Sequence, residues 1–343
     1  MFRPGRRTRF ALRTLAAAFG TVLLAYLIRR VGLQKIVETV STLGWGLALI
    51  IALGGASHVV KAWAWRLTLT EWKDGVSFMR LLQLRLASEA VGQVGALGQL
   101  FGEGLRISRL STKIPVDGRI SSVTLDRALF IVTGAVVSVV GMVTALLVVS
   151  LSHAMRLYTF LVGATLISLL VIVGLAIIRR WPVLSGSAKA LGRLTYFRDR
   201  VEGVLPLIRS VEKKLFDFHR HTPGAFWGSL TLNLACHGLA VLEVYLILCL
   251  LGVKTGFVAA LVFESLTKLV NIVGTFNPGN IGTYEGGNML IARMFGLSGA
   301  SGIAVAVTRR LRALFWAAVG GVCLFLLSIP RESKFRAAYQ EAS

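Results

Sequence analysis

The sequence predicts an all-α, polytopic membrane protein: about six full spans plus two broken, re-entrant helical elements, arranged as an inverted repeat. Three observations carry this. Hydrophobic residues make up 55% of the 343 and charged residues only 16%, with a mean hydropathy of +0.71, a balance suited to a chain that lies largely in lipid. The apolar stretches are long and are separated by basic segments. Two regions break the apolar pattern with glycines and carboxylates, and short motifs recur in the same order in the two halves.

The chain reads as one integral membrane domain over 1–343, with the first span at 10–31, one half of the repeat at 45–151, a scaffold span at 157–178, a basic loop at 179–222 and the other half at 226–329. Phe10 to Val31 follows Arg3, Arg6, Arg7 and Arg9, which place the N-terminus in the cytoplasm. No small-residue cleavage pattern follows it, so a retained helix is expected rather than a signal peptide. Trp45 to Leu69 is the second span, with Trp63, Trp65 and Trp72 towards an interface. Phe78 to Leu110 is too rich in Arg85, Glu89, Glu103, Arg106 and glycine to face lipid, and reads as re-entrant or as two short helices. Ile120 to Leu151 and Leu157 to Ile178 are the third and fourth spans. In the basic loop, Leu205, Ile208, Val211 and Leu215 recur at helical spacing and predict an interfacial amphipathic helix. Phe226 to Leu251 is the fifth span and Gly302 to Ile329 the sixth, ending in a basic tail at the cytoplasmic side. Loops assigned outside carry few basic residues (Arg29, Arg30, Lys35, Arg156, Lys254).

Between the last two spans, Phe257 to Phe295 contains the second break. Asn277 to Gly287 interrupts an apolar region, Ala259 to Val273, that could otherwise continue as helix. Pro278 lacks a backbone donor, and Gly279, Gly282, Gly286 and Gly287 permit positive φ and close backbone approach. Glu285 lies in the break. A broken helix with a buried acid is one way transporters build a substrate site, and a surface loop with Glu285 in water is the other reading.

The net charge of +22 does not signal nucleic acid, because the basic residues cluster between apolar spans as topology determinants do. Cys236, Cys249 and Cys323 lie in apolar spans without ligand spacing, so no metal or cofactor is expected. Paired aspartates for a metal-bound diphosphate, a phosphate loop and a zinc motif are all missing, so the chain does not read as an enzyme.

The repeat rests on three matches. Ala56-Ser57-His58 resembles Ala235-Cys236-His237, Gly95-x-x-Gly98 with Glu103 resembles Gly279-x-x-Gly282 with Glu285, and Arg127-Ala-Leu-Phe130 recurs as Arg312-Ala-Leu-Phe315. By the charge rule the second span runs inward and the fifth outward, which makes the halves inverted. The candidate substrate-binding residues follow: Glu103, Arg106, Asp126 and Arg127 in the first half, Glu285, Arg309, Arg310 and Arg312 in the second, and His58, Lys61, Asn233 and His237 on the intervening spans. Arginines suit a phosphate headgroup because guanidinium pairs with phosphate oxygens. Alternatively, Glu103 and Glu285 lock the broken helices to neighbouring spans, the histidines make ordinary interhelical hydrogen bonds, and Arg309 and Arg310 anchor at the interface.

Pro278-Gly279-Asn280-Ile281-Gly282-Thr283-Tyr284-Glu285-Gly286-Gly287, Phe295-Gly296-Leu297 and Arg309-Arg310-Leu311-Arg312, with Gly102-Glu103-x-x-Arg106 and Asp126-Arg127 earlier, resemble the transmembrane region of bacterial lysylphosphatidylglycerol synthases and its stand-alone, flippase-like relatives, some of them associated with hopanoid lipids. The resemblance covers nearly the whole chain. In the family's bifunctional members this region is thought to translocate an aminoacylated phospholipid. Together with the arginines and the inverted repeat, the resemblance implies a multi-pass protein of the bacterial inner membrane that moves or binds an amphipathic lipid with an anionic headgroup (phospholipid, hopanoid or polyprenyl phosphate) by alternating access. It also implies membrane lipids, and lipid-biosynthesis enzymes, as partners. No polar segment here is long enough for an aminoacyl-transfer domain, so synthase activity is not expected. Asn277 and Asn280 around the proline depart from many relatives, which leaves the substrate open. The alternatives are a secondary transporter of a small polar solute or ion, and a non-catalytic subunit of a lipid-synthesis complex.

Overall fold

A computed structural model describes residues 38–39, 41–92, 96–193, 198–274 and 282–327. The first span, Gly95, Asn277 to Asn280 with Pro278 and Gly279, and the basic tail lie outside the described residues. Within them, five helices are long and apolar enough to cross a membrane: α1 (Gly46–Thr68), α4 (Val116–Val148), α5 (His153–Ile178), α8 (Pro223–Leu250) and α11 (Gly299–Leu327). They match the second to sixth spans read from the sequence, with ends moved by a few residues. The chain is an all-α, polytopic membrane protein.

The two broken regions are helical hairpins. The first pairs α2 (Phe78–Gly92) with α3 (Ala96–Arg109), and the second pairs α9 (Phe257–Gly274) with α10 (Thr283–Met294). At 1.5 Å per residue, α2 and α3 are each about 22 Å long, short of a hydrocarbon core about 30 Å thick. The chain folds back in both. A Cβ on Gly102 would fall 2.6 Å from the Ser88 carbonyl oxygen, and the Thr267 hydroxyl donates to the Asn288 side chain at 2.9 Å. At the offset of 179 that carries His58 to His237, Ser88 corresponds to Thr267.

Helices α1 and α8 form the centre. They run antiparallel: Gly46 meets Leu250, Cys236 Sγ approaches the Ser57 carbonyl at 3.8 Å, and Ser229 donates to the Ala64 carbonyl at 3.2 Å. Equivalent helices in opposite directions are what an inverted repeat requires. The hairpins cross over between halves, with α2 packed on α11 and α9 packed on α4. Both crossings depend on glycine. A side chain at Gly320 would collide with the Leu86 carbonyl, and one at Gly141 would collide with Ser265. Helix α5 packs chiefly on α4 and leaves most of its apolar surface outward, as a lipid-facing scaffold span should.

The basic loop contains α6 (Val183–Leu191) and the expected amphipathic helix, α7 (Arg198–His221). Its apolar side buries Val201, Val211 and Phe218, and it rests on the start of α4. There Lys214 pairs with Asp117 at 2.6 Å, Ser210 donates to the same carboxylate at 2.7 Å, and the Lys214 ammonium lies 4.9 Å from the Trp72 ring. These groups are partly exposed. Lys214→Ala is therefore expected to cost only about 0.5–1 kcal/mol, read as a small fall in thermal midpoint with quicker limited proteolysis of the loop.

Candidate functional site

Each hairpin is tied to the span that follows it by a glutamate–arginine pair. In the first half, Glu103 on α3 meets Arg127 on α4 at 3.4 Å, and Arg127 also donates to Gln99 at 2.7 Å. In the second, Glu285 on α10 meets Arg310 on α11 at 2.8 Å. Glu285 also accepts from the Gly282 backbone N–H at 2.9 Å, capping the N-terminus of α10 where a carboxylate is favoured by the exposed N–H groups. So Glu285 lies in the first turn of α10 rather than in an irregular break. Gly282 does adopt positive φ, at 80°, whereas Gly286 and Gly287 are helical. Gly287 serves close approach instead, because a Cβ there would strike Val270.

Deeper in the bundle lie two triads of opposite polarity. Asp126 on α4 sits between Arg85 (3.0 Å) and Arg106 (2.6 Å), and the Arg106 guanidinium lies 3.9 Å from the Trp65 ring. Arg309 on α11 sits between Glu243 (3.2 Å) and Glu264 (2.7 Å), and also donates to the Ala240 carbonyl at 3.0 Å. Arg312 adds a second cation to Glu243 at 2.8 Å, and Lys268 adds one to Glu264 at 3.5 Å. One acid between two bases and one base between two acids both satisfy charges that burial would otherwise penalise. Arg309 is therefore not an interfacial anchor but a buried ion.

The expected binding residues thus divide into groups. Glu103 with Arg127, and Glu285 with Arg310, are partly exposed at the hairpins. Arg106 and Asp126 are closed against one another and against Arg85, a lock rather than an open clamp. Asn233 is wholly buried and donates to the Ser229 carbonyl one turn back in its own helix, at 2.9 Å. His237 Nε2 lies 3.1 Å from the Phe130 carbonyl, which only a ring N–H can satisfy, and its ring packs on Phe130. His58, its equivalent, packs on Trp316 at 5.3 Å. Equivalent histidines on α1 and α8 therefore each meet an aromatic residue of the opposite half, Phe130 on α4 and, one residue past its counterpart Phe315, Trp316 on α11. Lys61 and Arg312 lie near His58, and Arg312 reaches it over Gly54, where a Cβ would fall 2.7 Å from the arginine side chain.

Two charged residues were missed in the sequence. Glu264 and Lys268 lie inside the region read as apolar, Ala259 to Val273. Their signal was the offset of 179, which places Glu264 opposite Arg85 and Lys268 opposite Glu89 in the repeat, the same spacing with charges reversed.

The model of one family, described as the lysylphosphatidylglycerol synthase TM region, matches residues 13–321. No curated protein and no solved structure matches the chain. The matched stretch takes in every described helix up to the last turns of α11, including both hairpins and both triads. With most of its length matched, the chain belongs to the lysylphosphatidylglycerol synthase transmembrane-region family.

Proposed function

We propose that the protein is a flippase-like transporter that carries an amphipathic lipid with an anionic headgroup across a bacterial inner membrane by alternating access. The observation that supports this best is the way the hairpins bridge the halves. The first helix of each packs on the last span of the opposite half, while the second is ion-paired to the last span of its own half. A shift of one half against the other slides the first helix of each hairpin on the span it packs against, and where a hairpin follows the opposite half it breaks or exchanges Glu103–Arg127 or Glu285–Arg310. Those arginines, with Lys61 and Arg312, are the groups to which a phosphate would bind while the acyl or polycyclic tail stays in lipid. The N- and C-termini and the basic loop face the cytoplasm, since Arg179, Arg180, Lys189, Arg209, Lys213 and Arg220 cluster on that side.

The test is headgroup translocation of a fluorescent phospholipid panel in proteoliposomes. Glu285→Gln removes the charge that holds Arg310 and caps α10. It is expected to slow translocation by about tenfold or more, the equivalent of one charge-assisted hydrogen bond. Arg312→Ala is expected to slow it similarly. If wild-type vesicles containing folded protein move no lipid, the flippase reading fails. Substrate-dependent flux of a small solute would then favour a polar-solute carrier, and its absence a non-catalytic subunit.

A further inference from the structure

Among the charged side chains inside the bundle, two stand apart. Arg85, Arg106 and Asp126 close on one another, Glu103 on Arg127, Glu243 and Glu264 on Arg309, and Glu285 on Arg310. Among the described residues, the Lys61 ammonium and the Glu89 carboxylate make neither an ion pair nor a hydrogen bond, yet both are largely enclosed. They belong to adjoining helices held at a fixed level, because Arg85 on α2 donates to the Lys61 backbone carbonyl on α1 at 3.3 Å. Further along, Trp65 of α1 and Leu69 just past its end share a core with Leu81 and Leu84 of α2, so the two helices run antiparallel. One turn beyond Arg85, Glu89 therefore comes level with His58 and Lys61, and its carboxylate acts electrostatically on both.

The other groups facing this point are known from each neighbouring helix. Arg85 comes from α2, Arg312 from α11, Cys236 from α8, and α4 contributes the Phe130 ring, 4.9 Å from the Lys61 ammonium. His58 Nδ1 is buried and has no hydrogen-bond partner among the described residues. The Lys61 ammonium, beside the Phe130 ring, and the Glu89 carboxylate act on one another electrostatically without an ion pair or hydrogen bond between them, so each keeps its capacity for a further polar group.

A phosphodiester brings one negative charge. It suits Lys61, with Arg312 nearby, but it also lands beside Glu89, and two anions at close range are costly away from water. A proton on Glu89 removes that repulsion and turns the acid into a donor for a phosphate oxygen. His58, whose buried Nδ1 has no hydrogen-bond partner among the described residues and which feels the Glu89 charge, is placed to pass the proton. We infer that His58, Lys61 and Glu89 form a coupled site at which a lipid phosphodiester binds Lys61 together with one proton on Glu89. The inference rests on the headgroup reading given above and adds the coupling ion. One anion and one proton enter together, so the loaded site carries the same charge as the empty one. Transport is then electroneutral and answers to a pH gradient, not to membrane voltage.

The probe is dioctanoyl phosphatidylglycerol, whose phosphodiester keeps its charge near neutral pH, titrated into the full chain in detergent. Calorimetry in buffers of different ionisation enthalpy counts the protons taken up. Wild type is expected to take up close to one proton per lipid where free Glu89 is ionised, with affinity falling about tenfold per pH unit there. E89Q is expected to bind with no proton uptake and no such pH dependence, and K61Q to lose about tenfold or more in affinity. Lipid binding by wild type without proton uptake overturns the coupling and leaves the headgroup reading standing. Uptake that survives unchanged in E89Q overturns it as well. Absence of lipid binding removes both. The wild-type proton count decides the question even if E89Q does not fold.

Discussion

Arg309→Ala is expected to lower the stability of the protein by about 3 kcal/mol or more, because it strands buried carboxylates. Glu243 is 1% exposed and Glu264 5%, and the guanidinium of Arg309 lies between them at 3.2 and 2.7 Å. Arg312 and Lys268 remain as second partners, at 2.8 and 3.5 Å, which keeps the loss from being larger. The Ala240 carbonyl loses a donor too. The effect should appear as a fall in thermal midpoint in detergent and as lower yield of monodisperse protein. A second variant separates charge from packing. Arg309→Met combined with Glu243→Gln and Glu264→Gln removes the three buried ions together, which is less costly than stranding two carboxylates, although Arg312 and Lys268, at the more exposed edge, lose their partners. This triple variant should recover part of the lost stability. If Arg309→Ala melts like wild type, the triad is not what holds α8, α9 and α11 together.

Gly320→Val is expected to be at least as damaging, through shape alone. A Cβ there would run into the Leu86 carbonyl and lie 3.0 Å from the Ala90 methyl, and neither neighbour is the flexible end of a side chain. Helix α2 would have to move off α11, opening the contact between the first hairpin and the opposite half. Overpacking of this kind costs about 1–3 kcal/mol in ordinary cores, and backbone-to-backbone contact leaves less room for relaxation. Gly321 is the control. Nothing lies within 4 Å of a Cβ at that position, so Gly321→Val should fold normally. Equal behaviour of the two variants in size-exclusion profile and proteolysis would rule out the close crossing of α2 and α11.

The spans were legible because a helix that crosses lipid must be apolar over its whole length, a one-dimensional property. The hairpins were legible because their glycines and charges are incompatible with a lipid-facing helix, and the halves because His58 and His237, Glu103 and Glu285, and Arg127 and Arg312 keep their order. Glu264 and Lys268 were lost for the same reason the spans were found. Averaged hydropathy hardly registers two charges one turn apart on the inner side of an otherwise apolar helix.

The sequence by itself determined the class of protein and the order of the five described spans and the two broken elements. Only the tertiary structure decided how the charges are used. Asp126 finds Arg85 41 positions away and Arg309 finds Glu243 66 positions away, and both pairings depend on which helices touch and at what level. Helix levels here are set by small residues at the crossings, Gly54, Gly141 and Gly320, whose meaning depends on the partner backbone facing them. The same packing closes Asp126 on two arginines and His237 on the Phe130 carbonyl, and among the described residues leaves Lys61 and Glu89 without an ion pair. A charge's identity is written in the chain, whereas its partner is a property of the packed bundle.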